Sequence, residues 1–130
     1  METYLPKFEK WNFLHLYPQP FWHDEAYIVG NRKGLERLRD ALNKALEDEG
    51  DVDVSVNVMA NDGEGYSVHV VKVNDGEKIN MLAVPYTDEI SKERDAEALY
   101  PHALKLSEKC VAYPEDMKRR PGDGEENKKD

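Results

Sequence analysis

The sequence has a single cysteine, Cys110, among 130 residues, so no intramolecular disulfide is possible, which is typical of a reducing compartment. It has no apolar run close to the roughly 20 residues of a membrane span, and no basic-then-apolar leader. Positive charge is also scarce, since 18 Lys and Arg face 27 Asp and Glu, for a net charge of -9. We therefore expect a cytoplasmic protein that binds no membrane and no nucleic acid non-specifically, because its field repels phosphate backbones.

The patterns of common catalytic sites are missing as well. The four histidines fit no HxxxH or HExxH spacing, and neighbouring residues such as His23 and Asp24 point to opposite sides of an extended chain. No Walker or GxGxxG pattern occurs, and no serine has the flanking glycines of a nucleophile elbow. The carboxylates considered for acid–base catalysis fall in turns and at a helix start, where we expect them to be solvated: Asp62, Glu64, Asp75, Glu77, Asp88 and Glu89. We therefore expect no metal, no cofactor and no enzymatic activity.

The pattern of apolar residues predicts one α+β domain over residues 1–113, followed by a polar, mobile tail over residues 114–130. The expected architecture is a mainly antiparallel sheet of about five strands, with helices packed on one face. Two strands precede a helix, a three-strand meander follows, and the last helical region runs toward Cys110. The predicted elements are strands at Lys10–Tyr17 and Glu25–Val29, a helix at Gly34–Glu49, strands at Val52–Val58, from Tyr66 and at Ile79–Val84, and helices from Thr87 that restart at Pro101.

Local signals set the expected ends of these elements. Gly50 is placed where a left-handed residue usually ends a helix. Asp75-Gly76 is the pair favoured in a hairpin turn and predicts the second turn of the meander. Leu35, Leu42 and Leu46 share an apolar helical stripe with Leu38 and Ala45, which assigns Arg37 to the solvent face. Cys110 is expected to be a small buried apolar residue.

The first candidate site is the strand-to-helix junction. Gly30, Asn31, Arg32 and Lys33 lead into the helix that opens at Gly34, and free amides at the positive end of a helix dipole bind anions. Arg32 and Lys33 would add charge-assisted hydrogen bonds to phosphate oxygens. The alternative is structural: the glycines permit a tight turn, Asn31 caps the helix, and the two cations point into water.

Aromatic residues near the N-terminus offer a second element of that site. Tyr17 and Trp22 would stack on the base of a nucleotide whose phosphate is held at the junction. The alternative is that these aromatics cover the open face of a sheet and belong to the core. The aromatic strand can also pair with a neighbouring copy, so the sequence leaves homo-oligomerisation open.

A second candidate surface is acidic. Two segments place a tyrosine beside carboxylates at strand ends, and together they would complement a basic protein partner. The alternative is ordinary turn chemistry and helix capping. The residues concerned are Asp62, Glu64, Tyr66, Tyr86, Asp88 and Glu89.

The segments GNRKGLERLRDALNKAL, NDGEGYSVHVVKV and LAVPYTDE resemble parts of small uncharacterised bacterial and phage proteins found near toxin–immunity or antiphage-defence genes. The resemblance spans roughly residues 24–90. It implies a small accessory binding protein, and it carries over no functional residue. One expected function is sequestration of a phosphate-bearing small molecule or nucleotide signal in defence or counter-defence. The alternatives are an acidic inhibitor or immunity-type protein that binds a basic partner, and a small structural domain without a pocket.

Overall fold

The computed structural model describes residues 11–90 and 98–118. These residues form two small sheets with helices, which confirms the α+β class. The two sheets have two and three strands, where a single sheet of about five was expected. The elements are β1 (Leu14–Tyr17), β2 (Tyr27–Gly30), α1 (Arg32–Glu47), β3 (Val52–Met59), β4 (Gly65–Lys72), α2 (Gly76–Asn80), a 3₁₀-helix (Pro101–Leu104), β5 (Ser107–Val111) and α3 (Pro114–Lys118).

The hairpin of β3 and β4 is the centre of the larger sheet. Alternate valines of β3 are buried, from Val52 to Val58, and the intervening polar side chains are more exposed. The antiparallel register places Val56 opposite Val68, which is also buried. Gly63 turns the chain between the strands with φ of +92°, a left-handed conformation that favours glycine. The predicted strand alternation and this turn are therefore confirmed.

The third strand of the larger sheet is not the predicted one. The expected hairpin turn at Asp75-Gly76 is wrong, because the Asp75 carboxylate accepts the Glu77 N–H at 2.9 Å and caps α2. The expected strand at Ile79–Val84 is also wrong, since α2 occupies its first half and Leu82 makes an isolated bridge to Leu99. The third strand is β5, which runs parallel to β3 where the sequence predicts a helix.

Cys110 lies on β5 and is exposed, so its predicted burial is wrong. The 3₁₀-helix begins at Pro101, as a proline at the first helical position predicts, but it stops after one turn. Lys105 follows with φ of +58° and leads the chain into β5. The predicted helix near Thr87 is described only at its start, where Glu89 and Ile90 are helical, and its continuation lies outside the described residues.

The buried face of α1 differs from the predicted stripe. Its buried residues are Gly34, Arg37, Ala41 and Ala45, whereas Leu46 is 71% exposed. Leu35 and Leu42 are also exposed. Small residues on the inner face let the helix approach the valines of β3 closely, and the larger leucines are displaced to the flanks. The assignment of Arg37 to the solvent face is therefore wrong.

The end of α1 also departs from the expectation. The helix stops at Glu47, and Asp48 is extended, with φ of -79° and ψ of 135°. The Asp48 carboxylate accepts the Gly50 N–H at 2.9 Å, and Gly50 does not have a positive φ. A side-chain turn therefore replaces the predicted left-handed glycine.

The chain before β1 joins the two sheets. Phe13 bridges Met59 in parallel orientation, and the Met59 N–H donates to the Asn12 carbonyl at 2.9 Å. Leu14, the next residue, is fully buried in the core beside α1 and β3. This connection places Asn12 at the hairpin end of β3. At the other end of the chain, α3 forms within the segment predicted to be a mobile tail, and residues 119–130 lie outside the described residues.

Candidate functional site

The strand-to-helix junction is packed against the Phe13 carbonyl. A Cβ on Gly30 would lie 2.5 Å from that oxygen, and one on Gly34 would lie 1.8 Å from it. Asn31 caps α1, because its Oδ1 accepts the Gly34 N–H at 2.9 Å and also the Phe13 N–H at 3.1 Å. Its Nδ2 donates to the Trp11 carbonyl at 2.8 Å. The glycines and the asparagine therefore have a structural role that needs no ligand.

The two cations of the junction point outward. The Arg32 side chain is 87% exposed and pairs with Glu36 at 3.6 Å. Lys33 is exposed as well. Arg32 lines an open depression with Leu35, Glu36 and Arg39, so the surroundings include a carboxylate. The structural alternative to the phosphate cradle thus accounts for each residue, and phosphate binding here stays a prediction.

The two aromatic candidates are exposed, and no contact between them is found among the described residues. Trp22 is 65% exposed and its ring lies 4.7 Å from the His23 ring, centroid to centroid. Tyr17 is 50% exposed, and its hydroxyl lies 2.6 Å from His15 Nδ1. No hydrogen bond, ring contact or cavity among the described residues links either aromatic to Arg32 or Lys33. The expectation that they form part of the core is wrong for these two residues.

The acidic candidates separate into two groups. Asp62 and Glu64 lie in the β3–β4 turn, where the Asp62 carboxylate accepts the Glu64 N–H at 3.0 Å. Tyr66 follows at the start of β4, and its hydroxyl donates to the Leu14 carbonyl. Burial, and after it the neighbouring Tyr17, raises the pKa of Tyr66. This tyrosine therefore fixes the turn against the smaller sheet.

The second acidic group is held by the loop after β1. The N–H groups of Thr87 and Asp88 both donate to the Pro20 carbonyl, at 3.1 and 2.9 Å. Glu89 is exposed and Tyr86 is half-buried. Within the described residues, no hydrogen bond or ion pair joins this group to Asp62 or Glu64. A single rim formed by both groups stays a prediction.

A buried arginine that the sequence did not single out organises the other side of the hairpin. Arg37 is 3% exposed, and its terminal nitrogens donate to Asp116 at 2.8 and 3.0 Å and to Glu115 at 3.0 Å. Another hydrogen bond reaches the Asn57 carbonyl at 2.8 Å, and the guanidinium stacks over the Tyr113 ring at 4.0 Å. Burial lowers the pKa of Arg37, but hydrogen bonds and charges from Asp116 and Glu115 outweigh that effect and raise it. Arg37 thus fixes α3 to α1 and stays charged.

A pocket of about 420 Å³ lies between this cluster and the hairpin turn. Gly63 and Gly65 form part of its wall, and Asp62 and Glu64 are their neighbours in the chain. Ser67 Oγ donates to Asn57 Oδ1 at 2.9 Å inside it. The polar side chains that line the pocket are those of Asn12, Arg37, Asn57, Tyr66, Ser67 and Asp116.

Asn12 is the residue of this pocket that packing does not explain. It is 6% exposed, and its side-chain amide has no hydrogen-bond partner among the described residues. Neither polar atom of this amide is a solvent-excluded atom left without a partner, so the amide opens to the pocket. Only Tyr66 of the predicted site residues lines the same pocket. For the Arg37 side of the pocket the sequence does contain a signal. The small residues Gly34, Ala41 and Ala45 mark the buried face of α1, and Arg37 lies on that face.

The described residues contain no group of three or more His, Cys, Asp or Glu side chains placed to hold a metal ion. They also contain no helix with the length and apolar character needed to cross a membrane. Comparison of the chain with protein families, curated proteins and solved structures finds no match. The resemblance to defence-associated proteins stays a prediction, and function is inferred from the geometry alone.

Proposed function

We propose that this chain is a small binding protein whose pocket receives a lysine or arginine side chain of a basic protein partner. The observation that carries the proposal is the Asn12 side chain, which is only 6% exposed and opens to the pocket without a hydrogen-bond partner among the described residues. Its carbonyl oxygen is available to accept a hydrogen bond from an incoming ammonium or guanidinium group. Binding would supply the hydrogen bond that folding leaves unmade.

The charges around the pocket favour a cationic occupant. Arg37 is the only basic side chain in the lining that the structure describes, and its terminal nitrogens already donate to Asp116, Glu115 and Asn57. The carboxylates of the turn flank the lining residue Gly63. An anionic ligand would meet this excess of carboxylates, whereas a cation would complement it. The net charge of -9 would speed encounter with a basic protein in the same way.

The size of the pocket fits one long side chain better than a nucleotide. Its volume is about 420 Å³, near the lower end of small-molecule sites. No aromatic ring other than that of Tyr66 lines it within the described residues, so a base would find little stacking surface. These features support the acidic partner-binding function over the nucleotide-binding one.

The test is the binding of a fluorescent hexa-arginine peptide, followed by anisotropy, to the wild-type protein and to Asn12→Leu. This substitution leaves the net charge unchanged, so it separates pocket binding from general attraction. We expect Asn12→Leu to weaken binding at least about ten-fold, which corresponds to loss of one charge-assisted hydrogen bond. Equal binding by the two proteins would contradict a role of the pocket.

A second arm tests the phosphate alternative with the same protein. ATP and a cyclic dinucleotide are added in a thermal-shift assay to the wild type and to the double variant Arg32→Ala, Lys33→Ala. A ligand at about a hundred times its dissociation constant stabilises by about 2.7 kcal/mol. Our proposal predicts no shift with either compound. A shift that the double variant abolishes would place an anion site at the junction instead.

A further inference from the structure

The smaller sheet has one uncovered edge among the described residues. Within residues 11–90 and 98–118, β2 pairs with β1 alone, so its other edge has no strand beside it. Tyr27, Ile28 and Val29 are all more than half exposed, which is unusual for consecutive large apolar residues of a strand. A lone two-stranded sheet is marginally stable, and an uncovered apolar edge promotes pairing with another strand.

The hydrogen-bond pattern shows which groups face that edge. The Asn31 N–H donates to the Phe13 carbonyl at 3.2 Å, so this pair is of the hydrogen-bonded type. The type alternates along an antiparallel ladder, and the register places Leu16 opposite Ile28 and Leu14 opposite Gly30 as non-hydrogen-bonded pairs. The N–H and C=O groups of Ile28 and Gly30 therefore point away from β1, toward the free edge.

The charges on either side of β2 are complementary to those of a second copy. Asp24 and Glu25 precede the strand, and Arg32 and Lys33 follow it. Asp24 lies before β2 and Arg32 begins α1, so neither belongs to the strand, but an antiparallel pair with a two-fold axis at Ile28 brings the acidic end of each β2 beside the basic end of the other. Both side chains are exposed, and the Arg32 side chain is long enough to reach across. A parallel arrangement would instead bring like charges together.

We infer that β2 is the interface of a homodimer, in which β2 of each copy pairs antiparallel to form a four-stranded sheet with the order β1–β2–β2–β1. In this register Ile28 faces its own counterpart, and both exchange main-chain hydrogen bonds. Tyr27 lies opposite Val29 of the second copy on the other face, an aromatic and β-branched pair that stabilises sheets. The inference is independent of the proposed pocket, which lies at the end of β3.

The test is sedimentation velocity on the full chain across a range of concentrations, with Ile28→Lys and Ile79→Lys as a matched pair. Both isoleucines are similarly exposed, but Ile79 lies on α2, away from the edge. We expect a concentration-dependent dimer whose dissociation constant rises at least about ten-fold in Ile28→Lys and stays unchanged in Ile79→Lys. A monomer at every concentration, or a dimer whose dissociation constant is unchanged by Ile28→Lys, would overturn the inference.

A charge exchange tests the antiparallel direction. Asp24→Arg and Arg32→Asp should each weaken the dimer, because each makes the charges at the adjoining strand ends more alike. The double variant restores the attraction with reversed signs and should recover the dimer. Failure of the double variant to recover, with each single variant folded by circular dichroism, would rule out the antiparallel direction.

Discussion

The carbonyl oxygen of Phe13 occupies the space where a side chain on Gly34 would begin, 1.8 Å from the ideal Cβ position. Gly34 lies inside α1, where glycine is normally less favourable than alanine by about 1 kcal/mol. The contact reverses this preference, because the first turn of α1 can reach the chain before β1 only without a Cβ.

Gly34→Ala should therefore destabilise the protein by about 1–3 kcal/mol, the usual cost of overpacking against backbone. Gly76→Ala is the matched control, since a Cβ there meets nothing within 4 Å at the start of α2. We expect the control to be neutral or slightly stabilising in urea denaturation. A Gly34→Ala variant as stable as the wild type would show that the junction is not closely packed.

Removal of the Asn31 and Asn12 side-chain amides should have different effects on stability. Asn31→Leu loses hydrogen bonds to the Phe13 and Gly34 amides and to the Trp11 carbonyl, so it should cost about 2 kcal/mol. Asn12→Leu removes an amide without a described partner, so we expect stability that is unchanged or higher by up to about 1 kcal/mol. Urea denaturation of both variants measures the difference. A large loss in Asn12→Leu would mean that this amide is structural.

Substitution of Arg37 should reduce stability much more than substitution of Arg39, its neighbour on α1. Arg37→Met removes the ion pairs that its guanidinium makes with Asp116 and Glu115 and should cost about 2–4 kcal/mol. Arg39→Met removes an exposed ion pair with Asp40 and should change stability by less than about 0.5 kcal/mol. Equal effects of the two substitutions in urea denaturation would show that Arg37 does not hold α3.

Ionisation of Asp40 should make the stability of the folded protein fall as the pH is lowered into the acid range. The hydrogen bond from the Tyr113 hydroxyl, at 2.6 Å, lowers the pKa of Asp40 against the opposing effect of burial, and Arg39 adds to the lowering. A carboxyl whose folded pKa is depressed stabilises the protein above its unfolded pKa, and this stabilisation is lost as pH falls through the folded value.

Tyr113→Phe should therefore raise the pKa of Asp40 and reduce the loss of stability in acid. The pKa is measured by carboxyl ¹³C titration, and stability by urea denaturation over a range of acid pH. Tyr100→Phe serves as the control, because Tyr100 is exposed and makes no described contact with Asp40. If the pKa of Asp40 does not change in Tyr113→Phe, the hydrogen bond from Tyr113 is not what lowers it.

Strand alternation, turn residues and helix caps could be predicted from the sequence, because each depends on residues close together in the chain. The valine alternation of β3, the turn at Gly63 and the cap at Asn31 each follow from a few neighbouring residues. Arg37 and β5 could not be predicted in this way, because their partners are distant in sequence: Arg37 meets Asp116, and β5 pairs with β3. Asp75 shows the remaining ambiguity, since one Asp-Gly pair starts either a hairpin turn or a helix.

The candidate site was harder to predict than the fold. Glycines beside cations are typical both of a phosphate-binding loop and of a site where two backbone segments pack closely. Only the position of the Phe13 carbonyl shows that the glycines here allow close backbone packing. Asn12 had no signal in the sequence, because its burial depends on the bridge between Phe13 and Met59. A buried amide becomes informative only when its hydrogen bonds can be counted.

The most direct measurement of the proposed function is a ¹⁵N NMR titration of the wild-type protein with N-acetyl-arginine amide, following the side-chain amide signals. We predict that the Asn12 side-chain pair shifts and saturates, while the Asn31 pair stays in place because its hydrogen bonds are internal. An Asn12 signal that does not move as the ligand is added would contradict the assignment of this pocket to a cationic side chain.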